Sequence, residues 1–376
     1  MEGLKRLLMP LLRDGQMIRD TYEVERQLGE GAFAEVYRVR HRFLGRQAMK
    51  VFKAVGMTIE EIETMLGEAI LLSGIGHPNV IRVFDANTVD TDAGVCGFFT
   101  MEYIAGGSLE QFWQSFGERF MPVETAVEIL QQVCRGLSVA HSENPPIVHR
   151  DIKPQNILVG YDASGVRARL CDFGLAKHVN PLTLAATTMG TRCFKAPEAF
   201  RSLHGDSLRG DVWSLGATLY LILSDRLPYC DAENAGDGDA VCFDRPLVPP
   251  SRINLDADEM LDHLTCRALS VVSEERYADA GELLADLERW QALRRGEAGQ
   301  VKSVGAPDDT KSALGSTRRE DDERGAAMAR EAIQRARDTG RLSEAADIME
   351  QAMNVCPQLR ERHENTVRLW RRGISM

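Results

Sequence analysis

From Tyr22 the chain alternates apolar and polar positions. Tyr22-Glu-Val-Glu-Arg-Gln-Leu28 does so, and Glu35-Val-Tyr-Arg-Val-Arg40 does so again, with a glycine-bearing turn between them. A period of two predicts paired strands with one buried face. From Thr58 to Leu72 the apolar positions Ile59, Ile62, Leu66, Ile70 and Leu71 follow a helical period, with Pro78 shortly beyond, and strand-like texture returns up to about Phe84. After Gly106-Gly107 the pattern is mostly helical, with periodic segments around 122–141, 211–224, 257–270 and 279–293. Strands first and helices later predict an α+β fold with two unequal lobes, a small β-rich one and a large helical one.

Residues 294–322 break the pattern, with few apolar positions among Arg-Arg-Gly-Glu-Ala-Gly, Gly-Ala-Pro-Asp-Asp and Gly-Ser-Thr-Arg-Arg-Glu-Asp-Asp. Such composition predicts a solvated linker. Helical periodicity resumes from Glu323 to Arg372, interrupted near Gly340 and Pro357. The expected organisation is an extension at 1–20, a two-lobed domain at 21–292 (lobes about 21–102 and 103–292), a linker at 293–322 and a helical appendage at 323–376.

Composition narrows the picture slightly. Across 376 residues the charged set is 27% and the hydrophobic set 44%, which describes an ordinary globular protein. A formal net charge of −11 argues against a general nucleic-acid binder, which needs clustered Lys and Arg. The eight cysteines (Cys96, Cys134, Cys171, Cys193, Cys230, Cys242, Cys266, Cys356) have no metal-ligand spacing and are expected as reduced thiols. No stretch approaches the roughly 20 apolar residues of a membrane span. The run from Met1 to Gly15 sets basic residues beside a short apolar segment, but Pro10 interrupts it. A packed or membrane-surface turn is expected there rather than a secretory signal, and with it a cytoplasmic protein.

Chemistry enters with the glycine turn. Gly29-Glu-Gly31-Ala-Phe-Ala34-Glu-Val36 could let backbone N–H groups cover a phosphate, although a plain hairpin turn would look the same. Ala48-Met-Lys50 in the next strand supplies a cation, and Glu68 on the following helix could pair with it. Taken alone, these are equally a surface lysine and a solvated glutamate. The decisive segment is Ile147-Val-His149-Arg150-Asp151-Ile-Lys153-Pro-Gln-Asn156-Ile-Leu158-Val159. It is followed by Arg169-Leu-Cys-Asp172-Phe173-Gly174-Leu-Ala-Lys177 and then by Ala196-Pro197-Glu198. In this order and spacing the motifs resemble the eukaryotic-type (Hanks-type) serine/threonine protein kinases over roughly residues 20–292. The ending Tyr277-Ala-Asp-Ala-Gly-Glu-Leu-Leu-Ala-Asp-Leu-Glu-Arg289 is similar to bacterial members.

That resemblance implies transfer of the ATP γ-phosphoryl group to a protein hydroxyl, a reaction in which a protein chiefly positions groups and neutralises charge. It makes Asp151 the group that orients the substrate hydroxyl and accepts its proton. Asn156 and Asp172 would hold Mg²⁺ (or Mn²⁺), Lys50 braced by Glu68 would hold the α- and β-phosphates, and Lys153 the transferring group. Leu28, Gly29, Gly31, Val36, Ala48 and Leu158 would enclose the nucleotide, with Met101 as gatekeeper and Glu102 and Ile104 in the hinge. Ala34 replaces the third glycine of the family loop, and alanine still leaves room. Lys153 and Thr191, the latter in the substrate-docking segment, point to Ser/Thr rather than Tyr. Asp211 is implied as a brace for the catalytic loop, and Arg276 as the partner of Glu198.

Arg150 before the catalytic Asp implies activation by phosphorylation, with Thr183, Thr187 and Thr188 as candidate autophosphorylation sites. Ser108 and Leu221 occupy positions where kinases directed to basic sequences carry carboxylates, so no such preference is expected. Lys195, before Ala-Pro-Glu, matches a basic residue of proline-directed kinases but decides nothing alone. Cys171 reads as a packing residue, and Cys193 is the better redox candidate. The segment from Gly340 to Pro357 is similar to the second half of a tetratricopeptide repeat, with Gly340, Leu342, Ala345, Met349 and Ala352 at the expected spacing. One such unit must pack on the kinase lobe, self-associate or meet a partner. The main rival is a pseudokinase scaffold that binds nucleotide and works through its tail; a small-molecule kinase is disfavoured by Thr191 and Ala-Pro-Glu.

Overall fold

The computed structural model describes residues 10–31, 34–53, 66–67, 74–92, 94–117, 119–162, 165–173, 193–200, 207–229 and 243–301. In the C-terminal part it describes 328–329, 332–333, 335–336, 342–355 and 366–371. The small lobe is a six-stranded antiparallel sheet of β1 (Met17–Ile18), β2 (Tyr22–Glu30), β3 (Ala34–His41), β4 (Gly45–Phe52), β5 (Val83–Thr91) and β6 (Gly94–Glu102). Its strand order is β1-β2-β3-β4-β6-β5.

Alternation assigns the two faces. On β4, Met49 and Val51 join Tyr22, Val24, Tyr37, Val39, Cys96 and Phe98 in one apolar cluster, closed by Leu12. Ala48 and Phe52 point the other way and join Phe99 and Met101 in the main core. Lys50, between Ala48 and Phe52, therefore sits on that second face, with its Nζ 5.7 Å from the centre of the Phe99 ring. Residues 10–21 belong to this lobe as well. The amide of Leu11 donates to Glu35 and that of Leu12 to the Tyr37 hydroxyl, at 3.0 Å each.

The large lobe contains α1 (Leu109–Gln114), α2 (Val123–His141), the β7 (Ile157–Asp162) and β8 (Gly165–Leu170) ribbon, α3 (Leu208–Ser224), α4 (Glu259–Ala268) and α5 (Ala280–Val301). Ser108 caps α1 in a capping box with Gln111, and Asp258 caps α4. Every residue of α3 from Asp211 to Ser224 is buried, so α3 is the axis on which the lobe packs. Helix α5 runs to Val301, past the boundary expected at 292. Trp290 anchors it, its indole N–H bonded to the Asp258 carboxylate at 2.8 Å. Helix α6 (Leu342–Val355) lies in the C-terminal segment, where Leu342, Ala345, Met349 and Ala352 share a separate apolar cluster with Val367 and Trp370. Among the described residues, no helix is long and apolar enough to cross a membrane.

Candidate active site

The main core runs through both lobes. Ala34, Ala48 and Met101 from the small sheet share it with Ile157 and Leu170 from the β7–β8 ribbon, with Val36, Ile104 and Leu158 packed at its margin. These apolar groups, one set above and one below, can enclose a flat ring. Register places Ala48 opposite Met101, and Met101 opposite Val83. The segment after β6 is held by ties between distant parts of the chain. Glu102 pairs with Arg169 of β8 at 2.9 Å, and the Val159 amide bonds the Gly107 carbonyl at 2.9 Å. At the opposite rim, the Gly31 amide closes the turn on the Ala34 carbonyl at 2.8 Å. Nothing lies within 4 Å of a Cβ added at Gly29, so that side of the turn is open. Leu28, at the end of the same strand, is exposed.

The polar groups converge at one end of this slot. Lys50 reaches across the lobes to Asp172 Oδ1 at 2.8 Å, with its own side chain only 5% exposed. Lys153 Nζ lies 2.9 Å from Asp151 Oδ2. Asn156, in a 3₁₀ turn at Pro154–Asn156, donates its amide to the Asp151 carbonyl and to Asp151 Oδ2 at 2.7 and 2.9 Å. Its carbonyl oxygen is thereby left as the acceptor end. The thiol and backbone amide of Cys171 both bond the Asn156 backbone carbonyl, so the chain entering Asp172 is tied directly to that turn. Cys171 is buried, in keeping with a packing role.

Buried His149 organises the loop. Its backbone N–H donates to Asp211 Oδ2 at 2.7 Å, and that of Arg150 to Asp211 Oδ1 at 2.8 Å. The Asp151 amide donates to His149 Nδ1 at 3.2 Å, and His149 Nε2 donates to the Cys171 carbonyl at 3.0 Å. The ring also packs against Phe173, with centroids 4.4 Å apart. Within the site, two residues take left-handed backbone angles that non-glycine residues rarely adopt, Arg150 at φ 71° and Asp172 at φ 64°. Both flank the convergent groups, and the bonds above hold them there.

Burial opposes ionisation of Asp151, but the Lys153 ammonium, its hydrogen bond and the Lys195 charge outweigh it and hold the carboxyl below its ordinary value. Asp151 is thus a carboxylate at neutral pH, able to accept a proton or orient a hydroxyl. Asp172 and Asn156 supply one carboxylate and one amide oxygen. Such a set suits Mg²⁺ carried on phosphates, which binds through one or two carboxylates plus substrate oxygens rather than in an all-protein cage. Among the described residues, no cluster of three or more His, Cys, Asp or Glu able to hold a metal occurs.

The structure therefore brings together Lys50, Asp151, Lys153, Asn156 and Asp172, with Val36, Ala48, Met101, Glu102, Ile104 and Leu158 around them. Glu68, Thr183, Thr187, Thr188 and Thr191 lie outside the described residues. The Glu198–Arg276 pair is present and bidentate at 2.6 and 2.8 Å, with the arginine side chain fully buried. Leu221 is buried, and Ser108 is occupied as a helix cap. Two contacts escaped sequence reasoning, Glu102–Arg169 and a hydrogen bond from Lys195 Nζ to the Arg150 carbonyl. Both join residues remote in the chain, and no local pattern marks them. Cys193 is disulfide-bonded, against the expectation of reduced thiols. Its partner lies outside the described residues, since Cys96, Cys134, Cys171 and Cys266 are free.

This arrangement, apolar groups contributed by both lobes with acidic and cationic groups converging beside them, fits a phosphoryl-transfer class of site. Residues 22–286 match the protein kinase domain family, and the chain belongs to it. It is 32% identical over 283 residues, 73% of its length, to a protein of Clostridium perfringens named "probable serine/threonine-protein kinase". It is 31% identical over 291 residues, 76% of its length, to the serine/threonine-protein kinase PknB of Mycobacterium leprae. The chain spans 39% and 45% of the length of these two relatives. In structure it is similar to the kinase domain of PknI from Mycobacterium tuberculosis, with a TM-score of 0.53 and 25% identity, covering 74% of this chain and 99% of that one.

Proposed function

We propose that this protein is a serine/threonine kinase that transfers the γ-phosphoryl group of ATP to protein hydroxyls. The observation that carries the reading is the convergence of Asp151, Lys153 and Asn156 with the Lys50–Asp172 pair at the mouth of the apolar slot. In this reading Val36, Ala48 and Leu158 hold the adenine. The Glu102 carbonyl and Ile104 amide bind its edge, and Met101 limits the depth of the pocket. The turn carrying Gly29 and Gly31 covers the phosphates, while Lys50, steadied by Glu68, holds their α and β oxygens. Asn156 and Asp172 hold Mg²⁺, for which Mn²⁺ could substitute; the bound cation neutralises charge on the phosphates. Asp151, kept ionised by its lysine neighbours, orients the acceptor hydroxyl and takes its proton, and Lys153 offsets charge on the transferring group.

The likeness to proteins named serine/threonine-protein kinases and the presence of Lys153 support Ser and Thr as acceptors. We further read residues 21–292 as the catalytic domain and 323–376 as a helical segment serving a protein partner or self-association. The reaction is read as cytoplasmic, where ATP is supplied. Autophosphorylation on Thr183, Thr187 or Thr188 is expected to activate the enzyme. Mass spectrometry finding all three unmodified in fully active protein would remove that part of the proposal.

The central test is incubation with labelled ATP and Mg²⁺, comparing the unmodified chain with Asp151→Asn. Label is expected on the protein or on a generic substrate, and the variant should lose roughly 10²–10⁴-fold in rate while still binding nucleotide. Nucleotide binding without any transfer by the unmodified chain would favour a scaffold instead.

A further inference from the structure

We propose that Lys195 is a positioning residue for Asp151, acting through the peptide unit that joins Arg150 to Asp151. The inference rests on the kinase reading above and gives Lys195 a role beyond the charge it adds beside Asp151. Lys195 is fixed at its base, because it lies between Phe194 and Ala196, which are 5% and 3% exposed. The Phe194 carbonyl is held in turn by the Ser214 hydroxyl of α3 at 2.7 Å. From this anchored start the side chain crosses to the catalytic loop, where Nζ donates to the Arg150 carbonyl oxygen.

That oxygen belongs to the peptide unit whose other end is the Asp151 amide, and the Asp151 N–H donates to His149 Nδ1 at 3.2 Å. One peptide plane is thus gripped at both ends, by Lys195 on its oxygen and by His149 on its N–H. The residue before it needs the grip. Arg150 holds a left-handed φ of 71°, a region disfavoured for side chains with a Cβ, and Asp211 Oδ1 secures its amide at 2.8 Å. Asp211 and Lys195 therefore pin the strained residue on its two sides, and the second pin also sets the direction in which the Asp151 side chain leaves the loop. Without Lys195 the plane loses the grip on its oxygen and can tilt. A tilt displaces the carboxylate from the acceptor hydroxyl, where errors near 1 Å cost on the order of 100-fold in rate. The nucleotide pocket, built from β3, β4, β6 and β7, takes no part in this contact. The lysine also joins the segment leading into Ala196-Pro197-Glu198 to the catalytic loop, so seating that segment and aiming Asp151 become one event.

The test is steady-state transfer to a peptide by the unmodified chain, Lys195→Met and Lys195→Arg, with nucleotide affinity and thermal midpoint measured alongside. Lys195→Met is expected to lower kcat by about tenfold or more while changing KM for ATP and for peptide by less than about threefold. Lys195→Arg, which keeps a cationic donor, should recover most of kcat. An unaltered kcat in Lys195→Met overturns the inference. So does a loss confined to KM for the peptide, which would make Lys195 a docking residue, or a loss matched by falls in midpoint and nucleotide affinity, which would make it structural. An unmodified chain that fails to transfer phosphate overturns the kinase reading itself, and this inference with it.

Discussion

His149 shows how one side chain can limit the pH range of the fold. Burial lowers its pKa from the ordinary 6.5, against the opposing influence of Asp211, Asp151 and Asp172. Its bonds agree with a neutral ring, since Nδ1 accepts from the Asp151 amide and only Nε2 donates. Below 6.5 the unfolded chain takes up a proton at this histidine that the native state resists, so unfolding binds protons and acid destabilises the fold. The contribution is complete above the ordinary value and is lost as pH falls through the lowered native one. Denaturant unfolding between about pH 7.5 and 5.5 should show stability declining with acid, and His149→Phe should flatten that slope. An unchanged slope in the variant would assign the acid sensitivity to other groups. At this scale the sequence, through its family resemblance, singles out Lys50, Asp151, Asn156 and Asp172, which the structure brings near one another. It is silent on who touches whom across the fold. Lys50 bonds Asp172, 122 residues away, and Glu102 meets Arg169 from another lobe. Neither pairing leaves a local periodicity to detect.

Helix α3 carries the same lesson for elements. Its existence follows from the apolar run beginning near Asp211, and its burial on all sides explains why the run has no polar stripe. What the pattern does not reveal is how closely a neighbour approaches. A Cβ added at Gly216 would lie 2.8 Å from the Ala268 Cβ and 3.2 Å from the Leu269 Cγ, and the first of these is a short side chain that cannot swing aside. Gly216→Ala should gain roughly 1 kcal/mol from helix propensity and lose about 1–3 kcal/mol to overpacking, so the net effect is destabilising. Gly296, also helical, has nothing within 4 Å of the added carbon. There Gly296→Ala meets no clash and should stabilise by up to about 1 kcal/mol. Chemical denaturation of the two variants should therefore give midpoints displaced in opposite directions, and displacement in the same direction would contradict the close α3–α4 approach. The Glu198–Arg276 pair, by contrast, is what the family resemblance implied, and the structure forms it. Glu198→Ala leaves a fully buried guanidinium without its bidentate partner and should cost about 3–5 kcal/mol in the same assay.

For the whole molecule the question is how far the catalytic domain depends on the chain that follows it. Composition alone sets the end of the domain near 292, because Arg-Arg-Gly-Glu-Ala-Gly looks solvated. The helix nevertheless continues to Val301, since a helix anchored through its earlier turns propagates without a further apolar signal. That anchor is strong. Leu283, Leu287 and Trp290 belong to the main core, and Gln131 of α2 donates to the Leu287 carbonyl at 3.0 Å. The C-terminal cluster is distinct and rich in small residues, with Ala329, Ala332, Ala336, Ala345, Ala346 and Ala352 around Met349 and Trp370. Arg368 lies 5.8 Å from the centre of the Phe116 ring in the large lobe, a contact worth about 0.5–1 kcal/mol at an exposed site. Because the two cores form separate clusters among the described residues, they should separate thermodynamically. A chain ending at Val301 is expected to stay monodisperse, to bind nucleotide as the full chain does, and to unfold with a catalytic-domain stability within about 1 kcal/mol of it. Denaturant unfolding with nucleotide titration on both chains makes the comparison. Aggregation of the shorter chain, or a loss of several kcal/mol, would show that the helical segment completes the catalytic fold rather than being carried by it.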